Sequence, residues 1–330
     1  MRTPGFWYRP RSLTAALLIP AGALYAGAGR LRWRLARPVR VGVPVVCVGN
    51  LVAGGAGKTP IAIAVAQHLA AAGVAPHFLS RGYGGRKAGP LAVDRDRHSA
   101  REVGDEPLLL AAHAPCWVAR DRVAGANAAI AAGAQAVVMD DGFQNPSLRK
   151  DLSLLVVDGE TGFGNARPVP AGPLRESVPR GLARADAIVL MGADESGAGA
   201  ALAAGPLPVL TARLAPVGDT GWLRGAPIVA FAGIARPEKY FAMLERLGAN
   251  LIARIAFADH ERIPADELMQ LIELADAAGA TPLTTAKDYA RLPDDARAMV
   301  KVLPVDVAWE DPSALDRILR PVIDRAADNR

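Results

Sequence analysis

Val43-Pro44-Val45-Val46-Cys47-Val48-Gly49-Asn50-Leu51-Val52-Ala53-Gly54-Gly55-Ala56-Gly57-Lys58-Thr59-Pro60 decides the fold. Val43 to Val48 is a short β-branched run and predicts a buried strand. Gly49 to Gly57 predicts a loop. Thr59 to Ala72 predicts a helix, with Pro60 tolerated in its first turn and Gly73 ending it. Glycines let backbone N–H groups turn inward around phosphate oxygens, and the helix N-terminus adds its positive dipole end. Gly54, Gly55, Ala56 and Gly57 would cradle the phosphates of ATP. Lys58 would reach the β/γ-phosphates and Thr59 would hold Mg²⁺. Val52 stands where the strict G-x-x-x-x-G-K-[ST] pattern has glycine; the strand before and the helix after supply the context of a P-loop.

Outward from this unit the same alternation continues. Strands are predicted around His77 to Leu79, Cys116 to Ala119, Ala136 to Met139 and Leu154 to Val157, with helices at Glu106 to Ala112 and Arg122 to Ala132. This implies an α/β fold, a parallel sheet with helices on both faces. Glycines and prolines crowd positions 205–227, which read as a linker. A second, smaller α/β pattern follows: strands near Ile228 to Phe231, Leu251 to Phe257, Pro282 to Thr285 and Val300 to Leu303, and helices at Pro237 to Leu247, Ala265 to Ala278 and Ser313 to Ala326. The expected organisation is an N-terminal helix (1–40), a P-loop kinase domain (41–204), a linker (205–227) and a C-terminal α/β domain (228–330).

The chain has 330 residues, 51% hydrophobic and 22% charged, which supports buried cores and excludes wholesale disorder. Its net charge of +5 is unevenly placed. Arg2, Arg9, Arg11, Arg30, Arg32, Arg34, Arg37 and Arg40 precede the first strand without a single acid. Leu13 to Ala28 is apolar but reaches only about 24 Å as a helix, short of the ~30 Å hydrocarbon core. Leu17, Leu24, Ala28, Leu31 and Leu35 share one helical stripe, with Arg30, Arg34 and Arg37 opposite. That pattern fits a helix lying in an anionic membrane surface. A cleavable leader and a helix packed on its own protein are the competing readings. Trp7, Tyr8 and Trp33 suit a membrane interface better than base stacking, so no nucleic-acid partner is expected. Of the two cysteines, Cys47 falls in an apolar strand and reads as a buried thiol.

Four further segments carry chemistry. Asp140 and Asp141 end a hydrophobic strand, where an acidic pair beside a P-loop would hold Mg²⁺. Asp105, in Val103-Gly104-Asp105-Glu106-Pro107, is either a helix cap or a base for an attacking hydroxyl. Asp259-His260 follows a second-module strand and is either structural or part of an acid–base relay. Ser80-Arg81-Gly82-Tyr83-Gly84-Gly85 and Pro170-Ala171-Gly172-Pro173-Leu174-Arg175-Glu176 each offer an arginine on shaped backbone, as a phosphate contact or as an ordinary turn.

In this order the segments resemble the tetraacyldisaccharide 4′-kinase family, the lipid A 4′-kinases of Gram-negative bacteria. The resemblance rests on Gly49-Asn50 with Gly54 to Pro60, Ser80 to Gly84, Val103 to Pro107, Asp140-Asp141-Gly142-Phe143-Gln144 and Pro170 to Glu176. It continues through Ala232-Gly233-Ile234, Asp259-His260, Thr284-Thr285 and Lys287-Asp288. It implies ATP-dependent phosphorylation of the 4′-hydroxyl of an acylated glucosamine disaccharide 1-phosphate at the cytoplasmic face of the inner membrane, on two α/β domains with the active site between them. It further implies Asp105 and His260 as a catalytic dyad, Thr59, Asp140 and Asp141 at the metal, and Arg81, Tyr83, Gln144, Arg175 and Glu176 near the substrates. Asn145, Glu261 and Ala286 depart from the family's usual residues. A membrane-associated partitioning-type ATPase is the alternative; that class has lysine before the glycine pair, where this chain has Ala53.

Overall fold

The computed structural model describes residues 4–258 and 263–328. They form two compact units: one holds the described residues of Thr3–Leu214 and Val307–Arg330, the other is Ala215–Asp306. The larger unit is built on nine strands. In chain order they are β1 (Val45–Gly49), β2 (Pro76–Ser80), β3 (Leu91–Ala92), β4 (Cys116–Val118), β5 (Ala136–Asp140), β6 (Leu152–Asp158), β7 (Ala187–Met191), β8 (Val209–Pro216) and, from the chain's return, β13 (Val305–Trp309). Their spatial order is β13-β8-β7-β6-β1-β5-β2-β4-β3. The pairings from β8 through β4 are parallel, and the short β3 runs antiparallel to β4.

Strand alternation sorts the core into two layers. Val46 and Val48 belong to one layer with Ile61, Val65 and Leu69 of the helix Lys58–Ala71 and with Leu315, Leu319 and Val322 of the helix Pro312–Asp328. Val45 and Cys47 point the other way, among Ala126, Ala129, Leu155 and Ile188. The terminal helix, expected in the second module, therefore puts its apolar stripe into the first unit's core. Strands β3, β7, β8 and β13 were not expected from the sequence. The run at Ala187–Met191 is rich in residues that also favour helix, and β8 lies within the Pro/Gly-dense stretch read as a linker. Pro208 precedes the strand and Pro216 is its last residue, so β7 can pair with Val209 to Ala212 unhindered.

The smaller unit has strands β9 (Pro227–Ala232), β10 (Asn250–Ala256), β11 (Thr281–Thr284) and β12 (Lys301–Val302), in the order β10-β9-β11-β12 and all parallel. Asp288, fully buried after β11, accepts from the Gly233 N–H and the Thr285 hydroxyl and pairs with Arg291. It thereby ties together two of the loops that follow the strands.

No helix among the described residues is long and apolar enough to cross a membrane. The N-terminal helix Ile19–Leu35 buries Gly22 and Ala26. A Cβ on Gly22 would stand 3.0 Å from the Pro168 carbonyl oxygen, so the small-residue side faces the 168–171 loop. Leu17, Leu24, Leu31 and Leu35 are exposed, Leu17 by 82% and Leu24 by 77%.

Candidate functional site

Strand β1 lies between β5 and β6 and feeds the glycine loop at its C-terminal end. The chain leaves β1 towards β2, returns to β5, and then crosses to β6 on the other side. This is the switch point at which open α/β sheets bind ligands. Gly57 caps the following helix at φ 82°, in the left-handed region where glycine is favoured. Register places Val48 beside Asp140, so the acidic strand end lies against the loop.

The sequence-predicted residues of this unit converge there. The Thr59 hydroxyl donates to Asp140 Oδ2 at 2.9 Å. Lys58 Nζ donates to the Gly54 carbonyl at 3.4 Å and sits 3.9 Å from Asp141 Oδ1. Arg175 donates to the same Asp141 oxygen at 2.7 Å and to Gln144 Oε1 at 3.2 Å. Gln144 Nε2 donates to the Asn50 carbonyl at 2.9 Å and to Glu176 Oε1 at 3.2 Å. Backbone contacts seat this arm: the Arg175 N–H donates to the Leu51 carbonyl, and the Ala53 N–H to the Pro173 carbonyl. Val52, in the place of the motif glycine, makes an antiparallel bridge to Leu174.

The two adjacent carboxylates differ electrostatically. Burial, reinforced by the charge of Glu106, pushes Asp140 up to about 7; Lys58 and the Thr59 hydrogen bond only partly offset this. For Asp141 burial also opposes ionisation, but Lys58 and Arg175 outweigh it and hold the carboxyl below the usual range. Asp140 Oδ1 is buried without a hydrogen-bond partner among the described residues. An orphaned, hard carboxylate oxygen next to a threonine hydroxyl suits Mg²⁺, so Thr59 and Asp140 fit that ion, whereas Asp141 is paired with Lys58 and Arg175.

Asp105 is buried at the start of the helix Asp105–Leu110, after Gly104 at φ 92°. Its segment interlocks with the arginine loop. A Cβ on Gly104 would lie 2.6 Å from the Tyr83 carbonyl oxygen, and one on Gly85 2.7 Å from that of Glu102. Arg81 and Tyr83 are exposed, Tyr83 by 69%. Asp259, His260 and Glu261 lie outside the described residues. Asn145, one of the departures, spends its side chain locally: Oδ1 accepts from the Ser147 and Leu148 N–H groups and the Ser147 hydroxyl. Ala286 opens the short helix Ala286–Tyr289.

Arg122 escaped sequence reasoning. It follows the N-cap Asp121, where an arginine reads as solvated. Yet it is 4% exposed, it donates to the Ala119 carbonyl, and its Nε has no partner among the described residues. Burial, with the like charge of Arg81 next, pushes it down to about 10, while Asp141 acts in the opposite sense. A buried arginine electrostatically linked to both Arg81 and Asp141 belongs to this neighbourhood.

Comparison with known proteins accords with this geometry. The family model for tetraacyldisaccharide-1-P 4′-kinase matches residues 14–324. The chain belongs to the tetraacyldisaccharide-1-P 4′-kinase family. Members from Rhodospirillum centenum and Rhodospirillum rubrum, both called tetraacyldisaccharide 4′-kinase, are each 54% identical to it. The first match covers 100% of this chain and 99% of the relative, the second 98% of each. A crystal structure of the family member LpxK from Aquifex aeolicus, in complex with ATP, superposes with a TM-score of 0.75 at 26% identity. That match covers 94% of this chain and 100% of the other. The α/β architecture expected from the sequence is thus that of a 4′-kinase.

Proposed function

We infer that this chain transfers the γ-phosphoryl group of ATP to the 4′-hydroxyl of a tetraacyldisaccharide 1-phosphate held in a membrane surface. The observation that carries the reading is the convergence of Lys58, Thr59, Asp140, Asp141 and Arg175 on one glycine loop in a member of this kinase family. The loop is a P-loop. Gly54, Gly55, Ala56 and Gly57 offer backbone N–H groups to the phosphates. Lys58 exchanges the Gly54 carbonyl and Asp141 for the β/γ-phosphate oxygens, placing a cation where charge develops. Thr59, Asp140 and Asp141 would hold Mg²⁺, which when bound neutralises phosphate charge.

The 4′-oxygen forms a bond to the γ-phosphorus as the bond to the β,γ-bridging oxygen breaks and ADP leaves. Asp105 accepts the proton of that hydroxyl, and His260 is its partner in the dyad. Arg81 and Tyr83, on an exposed loop, and Gln144, Arg175 and Glu176, around Asp141, serve the acceptor and phosphate ends of the substrates. The exposed leucines of the N-terminal helix face the lipid, at the cytoplasmic face of the inner membrane.

The deciding experiment supplies radiolabelled ATP, Mg²⁺ and the disaccharide lipid in mixed micelles. Label in the lipid, lost when the 4′-hydroxyl is already phosphorylated, is the expected result. Hydrolysis to free phosphate with no labelled lipid would overturn the kinase reading in favour of a partitioning-type ATPase.

A further inference from the structure

The nucleotide-site ring does not end at Glu176. Arg184 donates to Glu176 Oε1 at 2.5 Å, closer than Arg180 at 3.9 Å. Its guanidinium carbon stands 4.1 Å from the centroid of the Trp33 ring and 4.9 Å from that of Phe143. Nε and Nη1 of Arg184 are buried and have no hydrogen-bond partner among the described residues. A planar cation fixed by one carboxylate and two aromatic rings depends on those rings for its orientation. Phe143 belongs to the strand-end segment that carries Asp140 and Asp141. Trp33 belongs to the N-terminal helix Ile19–Leu35, whose leucines are exposed. Lys150 Nζ lies 5.1 Å from the centroid of the same indole and donates to the Asn145 carbonyl. Tyr25 of that helix is an electrostatic neighbour of Arg175.

We propose that Arg184 is a positioning residue that couples the seating of the N-terminal helix, through Trp33, to the Glu176–Gln144–Arg175–Asp141 ring of the nucleotide site. The chain of contacts is continuous: Trp33 on Arg184, Arg184 to Glu176, Glu176 to Gln144, Gln144 to Arg175, and Arg175 to Asp141 beside Lys58. When the indole leaves, Arg184 opens to water on one side and gains rotamers. Glu176, 8% exposed, then loses its closest donor, and Gln144 and Arg175 lose the anchor that aims them at Asp141. A lipid surface that holds the leucine stripe holds Trp33 in place, so the site is best ordered where an acylated acceptor is found. The regulatory sense of this coupling rests on the proposed kinase function; the coupling itself concerns nucleotide binding and is tested there.

The test is a double-mutant cycle on the full chain with Trp33→Leu, Arg184→Met and the pair. Mg²⁺–mant-ATP affinity is read by anisotropy under direct mant excitation, and thermal unfolding is followed in parallel. Trp33→Leu should weaken nucleotide binding by roughly three- to tenfold, and by less than twofold when Arg184 is already methionine. Trp33→Phe, which keeps a ring, should restore affinity. Arg184→Lys, which keeps charge without the planar fork, should behave like Arg184→Met. Vesicles of anionic phospholipid without acceptor should tighten binding by the wild-type chain and leave the Trp33→Leu chain unmoved. Equal losses from Trp33→Leu in both backgrounds, or no loss with arginine present, overturn the coupling while leaving the kinase reading intact. Failure of the wild-type chain to bind mant-ATP at all overturns both.

Discussion

Gly49 ends β1 where the sheet hands over to the glycine loop, and it has no room for a side chain. A Cβ there would stand 2.4 Å from Phe143 Cβ and 3.1 Å from the Phe143 nitrogen. Carbon–carbon contacts are comfortable at about 3.5–4.0 Å, so Gly49→Ala demands more than an ångström of movement. Neither side yields easily. Phe143 is 2% exposed, and the neighbouring Gly142 is wedged against Met139 and Cys47. Gln144, next along, is fastened to the Asn50 carbonyl at 2.9 Å. Overpacking of this kind costs about 1–3 kcal/mol, and the strain falls on the segment that aims Asp140 and Asp141. The variant should lose that much in urea unfolding followed by tryptophan fluorescence, and should bind Mg²⁺–ATP at least several-fold more weakly by calorimetry. Gly27→Ala is the control: a Cβ on that helical glycine would meet nothing within 4 Å, and alanine there should be neutral or stabilising by up to ~1 kcal/mol. A Gly49→Ala chain with unchanged unfolding midpoint and ATP affinity would refute the claim that this close approach sets the site.

Asp105→Ala and His260→Ala should each lower kcat greatly with little change in ATP affinity, and the double variant should be far less impaired than the product of the single losses; multiplicative losses would dissolve the dyad. Removal of residues 1–36 should weaken sedimentation with anionic liposomes, and unchanged affinity would move the membrane contact elsewhere. Burial pushes the Cys47 thiol from 9.0 up to about 11. An unfolded thiol therefore loses its proton first, and stability should fall between about pH 9 and 11, with the full contribution present below that window. Cys47→Ala should remove roughly 2–3 kcal/mol of this alkaline loss; identical pH slopes for the two chains would contradict the burial of that thiol.

The parallel core was legible because each strand–loop–helix unit declares itself locally: valines, then glycines, then a helix whose Pro60 falls in its first turn. What escaped was pairing that only tertiary contact fixes. Ala187–Met191 is five buried residues with no polar alternation to reveal a period, and Val209–Pro216 owes its strand to β7 alongside. The terminal helix follows the second module in sequence, yet its Leu315, Leu319 and Val322 reach the layer that also holds Ile61 and Val65. Its apolar stripe predicts burial without saying against what.

The site shows the same division. Sequence names Asp140 and Asp141 as one acidic pair at a strand end, because adjacency is all it records. The backbone separates them. Asp140 is the last residue of β5 and points where Thr59 meets it, with one oxygen left over. Asp141 turns to φ 54°, an uncommon conformation for a residue with a side chain, and comes under two cations. A carboxylate already neutralised by Lys58 and Arg175 gains less from Mg²⁺ than one that burial has left short of counter-charge. In the proposed site Asp140 would therefore be the stronger ligand of the two, and Asp141, paired with Lys58, would hold that lysine beside the loop until phosphate takes it.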